Sequence, residues 1–240
     1  MGGMRTVINR DGTTMRIIGG EGGSYAMIGI DIGQKHDPTA IAVMEMEWRT
    51  AEGSRDDHYL GRHIERLPLG TTYPAIAVRL KEVVTNVKAR GVSVAQVYVD
   101  ATGVGQPVVD VLKKAGVRIM PVYFTHGDRR TVNEDHSVTL GKAFLVSRLK
   151  ALMQTGRIHL TQSAEMDAMQ KELMDYEIRV DEQANDRYGA FRVGTHDDLV
   201  TALGLAVQGK PPTPGVYVIG GERPVWRPYP GGMPSRGGWQ

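Results

Sequence analysis

The chain has no cysteine among its 240 residues. Disulfides, thiolate zinc sites and thiol catalysis are therefore excluded, and the absence fits a reducing compartment. No apolar run approaches the roughly 18 residues that a membrane span requires, and the N-terminus carries no signal-peptide pattern. These absences predict a soluble cytoplasmic protein with no membrane partner. A strong charge of either sign is also missing: 29 basic and 27 acidic residues leave a net charge of +2, with a sequence pI of about 8.8. That mild cationic bias permits a nucleic-acid partner without demanding one. Familiar catalytic motifs are absent as well. Gly141-Lys142-Ala143 is not a phosphate-binding Walker loop, because His136 stands where its first glycine belongs and Ala143 replaces Ser or Thr. There is no H-E-x-x-H helix and no G-x-S-x-G elbow.

What the chain does have is the composition of an ordinary globular protein, 41% apolar and 23% charged, long enough for one sizeable α/β domain. Residues 1–24 are Gly-rich and polar and read as a flexible linker. Residues 209–240 are dominated by Pro and Gly and read as a flexible tail. Between them, residues 25–208 alternate strand and helix patterns. Apolar runs predict strands at 25–33, 40–47, 59–66, 94–99 and 117–122. Helical spacing marks 74–90, 103–115, 138–155, 162–176 and 197–208. A short strand at 157–160 and a hairpin over 176–180 and 188–193 complete the reading. Three strands in hairpin order followed by parallel strands with crossover helices predict a mixed five-stranded sheet flanked by helices.

Three places put aspartate where a buried element begins or ends: Asp31 in YAMIGIDIGQKHDPTAIAV, Asp100 in VYVDATGVGQPVVDVL, and Asp197-Asp198 in GTHDDLVTALGLAV. Open α/β sheets build sites at the carboxyl ends of neighbouring strands, so Asp31 and Asp100 meet if their strands lie side by side. A buried carboxylate without a partner costs several kcal/mol to ionise. Convergent carboxylates suit divalent cations, and oxygen-only ligation favours Mg²⁺ or Mn²⁺. Each position also has a plain structural reading: a Gly33 turn for Asp31, an Asx turn or helix cap for Asp100, and a Thr195–Asp198 capping box. Consecutive helix residues point about 100° apart, so only one of the Asp197/Asp198 pair aims at a first ion, with Asp198 favoured. His196 is either an outer donor to that site or an exposed residue at the helix start. Asp37 is explained by its Asp-Pro turn.

Taken together, IGIDIGQKHDPTAI, VYVDATGVGQPVVDVL and HDDLVTALGLA resemble the nuclease domain of tailed-bacteriophage terminase large subunits, across roughly residues 25–208. VTLGKAFLVSRLKALMQTGRIHL followed by KELMDY is similar to the helix-strand-helix segment that precedes the family's last motif. The resemblance implies a ribonuclease H-like fold and an endonuclease that cuts concatemeric viral DNA during genome packaging. It implies two Mg²⁺ or Mn²⁺ ions held by Asp31, Asp100, Asp197 and Asp198. Its implied partners are double-stranded DNA, an ATPase motor, the small terminase and the portal, in the host cell cytoplasm.

DNA must reach an acidic centre past cations at its rim. The candidates are Lys35, His36, Arg129, Arg130, Lys142, Lys210, Arg223 and Arg227, with the Arg129-Arg130 pair favoured because it follows a strand parallel to the one bearing Asp100. Three other readings stay open: a Holliday-junction resolvase with the same fold, an actin/hexokinase-like phosphotransferase suggested by Gly29-Ile30-Asp31-Ile32-Gly33, and a non-catalytic DNA-binding module.

Overall fold

The structure, a computed structural model, describes the backbone of residues 4–8, 14–18, 25–33, 37–51, 54–175, 177–180, 186–189, 196–209, 216–218 and 225–227. Side chains are described over 25–33, 37–47, 56–174 and 196–209. Two units are distinguished: Ser24–Gly209, and the terminal segments Met1–Gly23 with Lys210–Gln240. In the terminal segments β1 (Met4–Ile8) pairs antiparallel with β2 (Thr14–Ile18). Strands β13 (Val216–Val218) and β14 (Val225–Arg227) form a second antiparallel pair there.

The main unit opens with three long antiparallel strands, β3 (Tyr25–Asp31), β4 (Ala40–Ala51) and β5 (Ser54–Arg66). Helix α1 (Tyr73–Ala89) carries the chain over the sheet to β6 (Ser93–Asp100), which lies parallel to β3. Pro74 near its first position suits a helix start, since its missing N–H would have no partner there anyway. Ile76, Leu80, Val83, Val84 and Val87 form the stripe that packs on the sheet. A second crossover, α2 (Gly105–Lys114), leads to β7 (Met120–Thr125), parallel to β6.

The sheet then continues beyond the five strands expected. It has eight, in the order β10-β5-β4-β3-β6-β7-β9-β8. Strand β8 (Arg130–Val132) and β9 (Val138–Gly141) extend one edge, and β10 (Ile158–Leu160) caps the other. Residues 138–141 carry an apolar pattern continuous with the helix α3 (Lys142–Gln154) that follows, so periodicity alone merges the two. Tertiary contact separates them. A side chain at Gly141 would overlap the carbonyl oxygen of Gly127, and the Gly141 N–H donates to the Arg129 carbonyl at 2.7 Å. Helix α4 (Ala164–Asp175), the hairpin β11 (Glu177–Val180) with β12 (Asp186–Gly189), and α5 (Asp198–Ala206) complete the unit.

Strand alternation gives the sheet two different faces. Ile28, Ile30, Ile41, Val43, Val97 and Val99 meet α1 and α2 on one side. Met27, Ala40, Ala42, Met44 and Tyr98 face α3, α4 and α5 on the other. Helix α5 is buried over its whole length, and one absent side chain lets it seat closely. A Cβ at Gly29 would overlap the carbonyl oxygen of Ala202. Burial of Leu199, Val200 and Leu203 is worth roughly 1.5–3 kcal/mol each. That anchors the helix whose first turn carries Asp197 and Asp198.

A carboxylate cluster at the end of the parallel strands

Asp31 and Asp100 end adjacent parallel strands. The ladder between them runs to Ile30 opposite Val99, so the two aspartates follow one step on, both on the α5 face. Asp31 is opposite Ala40, and Ala40 is opposite Arg66. Cross-strand partners project to the same side, so Asp100, Asp31, Ala40 and Arg66 form a row along one end of the sheet. Ala40 is buried in the same apolar cluster as Leu199 and Val200 of the first turn of α5.

The plain readings of these aspartates can be checked residue by residue. For Asp31, the Gly33 N–H is taken by Thr39 Oγ1 at 3.0 Å, so the turn there is closed by Thr39. For Asp100 the Asx turn is present: the Thr102 N–H donates to Asp100 Oδ1 at 2.8 Å. The α2 helix is capped at Val104, which removes the capping role. Asp197 is the N-cap residue of α5 and makes no side-chain capping bond.

Burial is the main influence on Asp31, pushing its pKa well above the ordinary carboxylate value. Repulsion from Asp100, then Asp197, then Asp198 adds to it, while Lys142 opposes. Asp100 is raised as well, first by burial and also by Asp197, against the Thr102 hydrogen bonds and Lys142. Three carboxylates therefore bear on Asp31, and among the described residues the Lys142 ammonium opposes them. Lys142 is the first residue of α3, and its Nζ lies 5.6 Å from the centre of the Phe124 ring.

Asp198 has a different environment from its neighbour. It is only 5% exposed, and both of its oxygens accept from Arg66, Oδ2 from Nε at 2.8 Å and Oδ1 from Nη2 at 3.0 Å. Arg66 Nη2 also donates to Glu172 Oε1, and Glu172 Oε2 accepts from the N–H groups of Leu199 at 3.1 Å and Val200 at 3.4 Å. The preference for Asp198 over Asp197 as the residue aimed at a first ion thus meets a carboxylate already held by a guanidinium. Sequence reading also missed Arg66 and Glu172. A pair 106 residues apart, half-buried Arg66 with buried Glu172, leaves no local pattern, and only the KELMDY segment singled out above contains one of them.

Among the rim candidates, Arg129 is exposed, while half-buried Arg130 turns its Nη2 to the Tyr98 hydroxyl at 3.4 Å. His196 is partly exposed directly before Asp197. Lys35, His36, Lys210, Arg223 and Thr195 lie outside the described residues, as does the side chain of Arg227.

The donor set fits a hard divalent ion. Its atoms are carboxylate oxygens whose mutual repulsion a cation would relieve. Among the described residues no three acidic or histidine side chains enclose an ion unaided. Mg²⁺ is commonly held that way, by one or two carboxylates with water and substrate phosphate completing its shell.

Comparison with known proteins identifies the family and the fold. The family described as the terminase RNaseH-like domain matches residues 28–209. The large terminase nuclease from thermophilic phage G20c is similar in structure, with 22% identity and a TM-score of 0.55 over 83% of this chain and 89% of that one. A Mn-soaked human cytomegalovirus terminase nuclease domain aligns at 14% identity and a TM-score of 0.49, over 78% and 82%. The large terminase nuclease domain of bacteriophage SPP1 with bound Mn aligns at 14% and 0.44, over 76% and 84%. No curated protein matches the sequence.

Proposed function

The chain belongs to the terminase RNaseH-like domain family, and we propose that it is a divalent-metal-dependent endodeoxyribonuclease that cuts concatemeric viral DNA during genome packaging. The observation that carries this reading is the row of carboxylates at the ends of β3 and β6, raised in pKa by burial and by one another and completed from α5. Asp31, Asp100 and Asp197 would hold two Mg²⁺ or Mn²⁺ ions, with Asp198 kept outside by Arg66. When bound, such a pair supplies the Lewis acidity of phosphodiester hydrolysis, acidifying a water and neutralising the leaving oxygen.

The chain's own groups do the rest. The Asp100 carboxylate is oriented by the Thr102 N–H, and Thr102 is itself fixed because its Oγ1 accepts from the Phe124 N–H at 2.8 Å. Lys142 faces the carboxylates from the start of α3 and is placed to attract the phosphate backbone. Exposed Arg129 would extend that cationic rim. Arg130, committed to Tyr98, contributes least to it. The partners this reading implies are double-stranded DNA, an ATPase motor, a small terminase and a portal, acting in the host cytoplasm.

The test is an assay on supercoiled plasmid and on four-way junctions with Mg²⁺, Mn²⁺ or EDTA. Nicking or linearisation with either ion, silence in EDTA and little sequence preference are expected. Preference for junctions would move the assignment to a resolvase. Nucleotide hydrolysis without cleavage would favour a phosphotransferase, and DNA retention without cleavage a binding module.

A further inference from the structure

We propose that Glu172 and Arg66 form a clamp that positions Asp197 by fixing the first turn of α5 from outside that helix. The inference rests on the nuclease reading above and adds two positioning residues to it. A helix start leaves four N–H groups without intrahelical partners, and the N-cap side chain usually answers one of them. Here the N-cap is Asp197 and makes no such bond. Two of these groups, Leu199 N–H and Val200 N–H, donate instead to Glu172 of α4. Capping from a neighbouring helix ties the start of α5 to α4 and does not call on the Asp197 carboxylate.

Arg66 supplies the second hold. A guanidinium that meets both oxygens of one carboxylate fixes its direction as well as its distance, and Arg66 does this to Asp198. Asp197 precedes Asp198 as the N-cap, outside the helical dihedrals of the first turn. With Asp198 held toward β5, it is Asp197 whose charge reaches both Asp31 and Asp100. Arg66 also joins Glu172, so the two holds share one guanidinium. Asp198 and Glu172 are 5% and 8% exposed, and removing one partner of such a buried group leaves the others uncompensated. Each member thus depends on the rest.

Mn²⁺ titration by calorimetry, with plasmid nicking across a Mn²⁺ series, tests the clamp in the parent chain, Glu172→Ala, Glu172→Gln and Arg66→Lys. Partners behind a metal ligand commonly alter affinity by about 10–100-fold. Glu172→Ala should weaken Mn²⁺ binding by that order, with nicking recovered at higher Mn²⁺. Glu172→Gln keeps an oxygen for the two N–H groups but loses the ion pair to Arg66, and should restore part of the affinity. Arg66→Lys loses the two-point grip and should lose about tenfold. Amide exchange at Leu199 and Val200 should quicken in metal-free Glu172→Ala. If Glu172→Ala binds Mn²⁺ like the parent, the clamp is wrong while the nuclease reading stands. If Glu172→Ala does not fold, parent-like affinity in Arg66→Lys overturns it equally. A parent chain that takes up no Mn²⁺ overturns the nuclease reading and the clamp's purpose together.

Discussion

The two faces of the central sheet are built from different residues for different ends. Toward α1 and α2 the strands present Ile28, Ile30, Ile41, Val97 and Val99, β-branched side chains in a close-packed aliphatic layer. Among the described residues the buried charge on this face is Glu45, which meets Arg62 at 2.8 Å. Toward α3, α4 and α5 the same strands present Gly29, Ala40, Ala42 and methionines, then Asp31, Asp100 and Arg66 at the ends. Small residues let α5 approach closely, and close approach brings its first turn over the carboxylates. One face supplies stability. The other gives up packing volume and accepts charge at the proposed site, which is where local rules are expected to bend.

The largest effect should separate the faces by activity. Asp31→Asn or Asp100→Asn should lower plasmid cleavage by about 10³-fold or more, since metal-held charge stabilisation is worth several kcal/mol. The same variants should keep or raise the metal-free melting temperature. Asp31 has a folded pKa above the ordinary carboxylate value, so the native state holds its proton more tightly than the unfolded chain. Its contribution to stability is lost as pH rises through that raised pKa, and Asn removes the cost of ionisation. A marked fall in melting temperature in both variants would make these aspartates structural.

The opposite pattern is expected on the aliphatic face. Ile28→Ala should cost about 2–5 kcal/mol in denaturant unfolding while cleavage per folded molecule stays at the parent level. Gly29→Ala, one residue along and facing α5, should cost about 1–3 kcal/mol or more through overpacking and should also depress cleavage, because the helix carrying Asp197 must move. Equal activity in the two variants would erase the distinction between faces.

A smaller, pH-dependent effect belongs to Glu172. Burial first and Asp198 second push it up to about 7 from an ordinary 4.5, against Arg66 and the Val200 N–H. With the folded pKa above the unfolded one, stability falls as pH rises from about 4.5 to 7. Glu172→Gln should flatten the dependence of melting temperature on pH across that window. An unchanged slope would show that Glu172 does not titrate there. The smallest effect concerns the rim: Lys142→Ala and Arg129→Ala should each reduce the salt slope of DNA binding by about 1, and Arg130→Ala by less. Equal slopes in all three would place the DNA path elsewhere.

The contrast between faces was only partly legible in the sequence. The strands bearing Asp31 and Asp100, their crossover helices and the ribonuclease H-like fold follow from apolar runs, turns and motif order, all short-range signals. Adjacency of β3 and β6 was conditional until the sheet order fixed it. Strand β9 was hidden because its apolar pattern runs into α3, and only the Gly127–Gly141 approach divides them. The different environments of Asp197 and Asp198 were equally hidden. They depend on Arg66 and Glu172, which reach α5 from a strand and a helix far away in sequence.

The most direct test of the central claim is anomalous scattering from crystals of this chain soaked in Mn²⁺. The account predicts two peaks roughly 3.5–4 Å apart in contact with Asp31, with Asp100 and Asp197 completing the protein ligands and Asp198 still on Arg66. No peak at these carboxylates, at a Mn²⁺ concentration that supports cleavage, would contradict it.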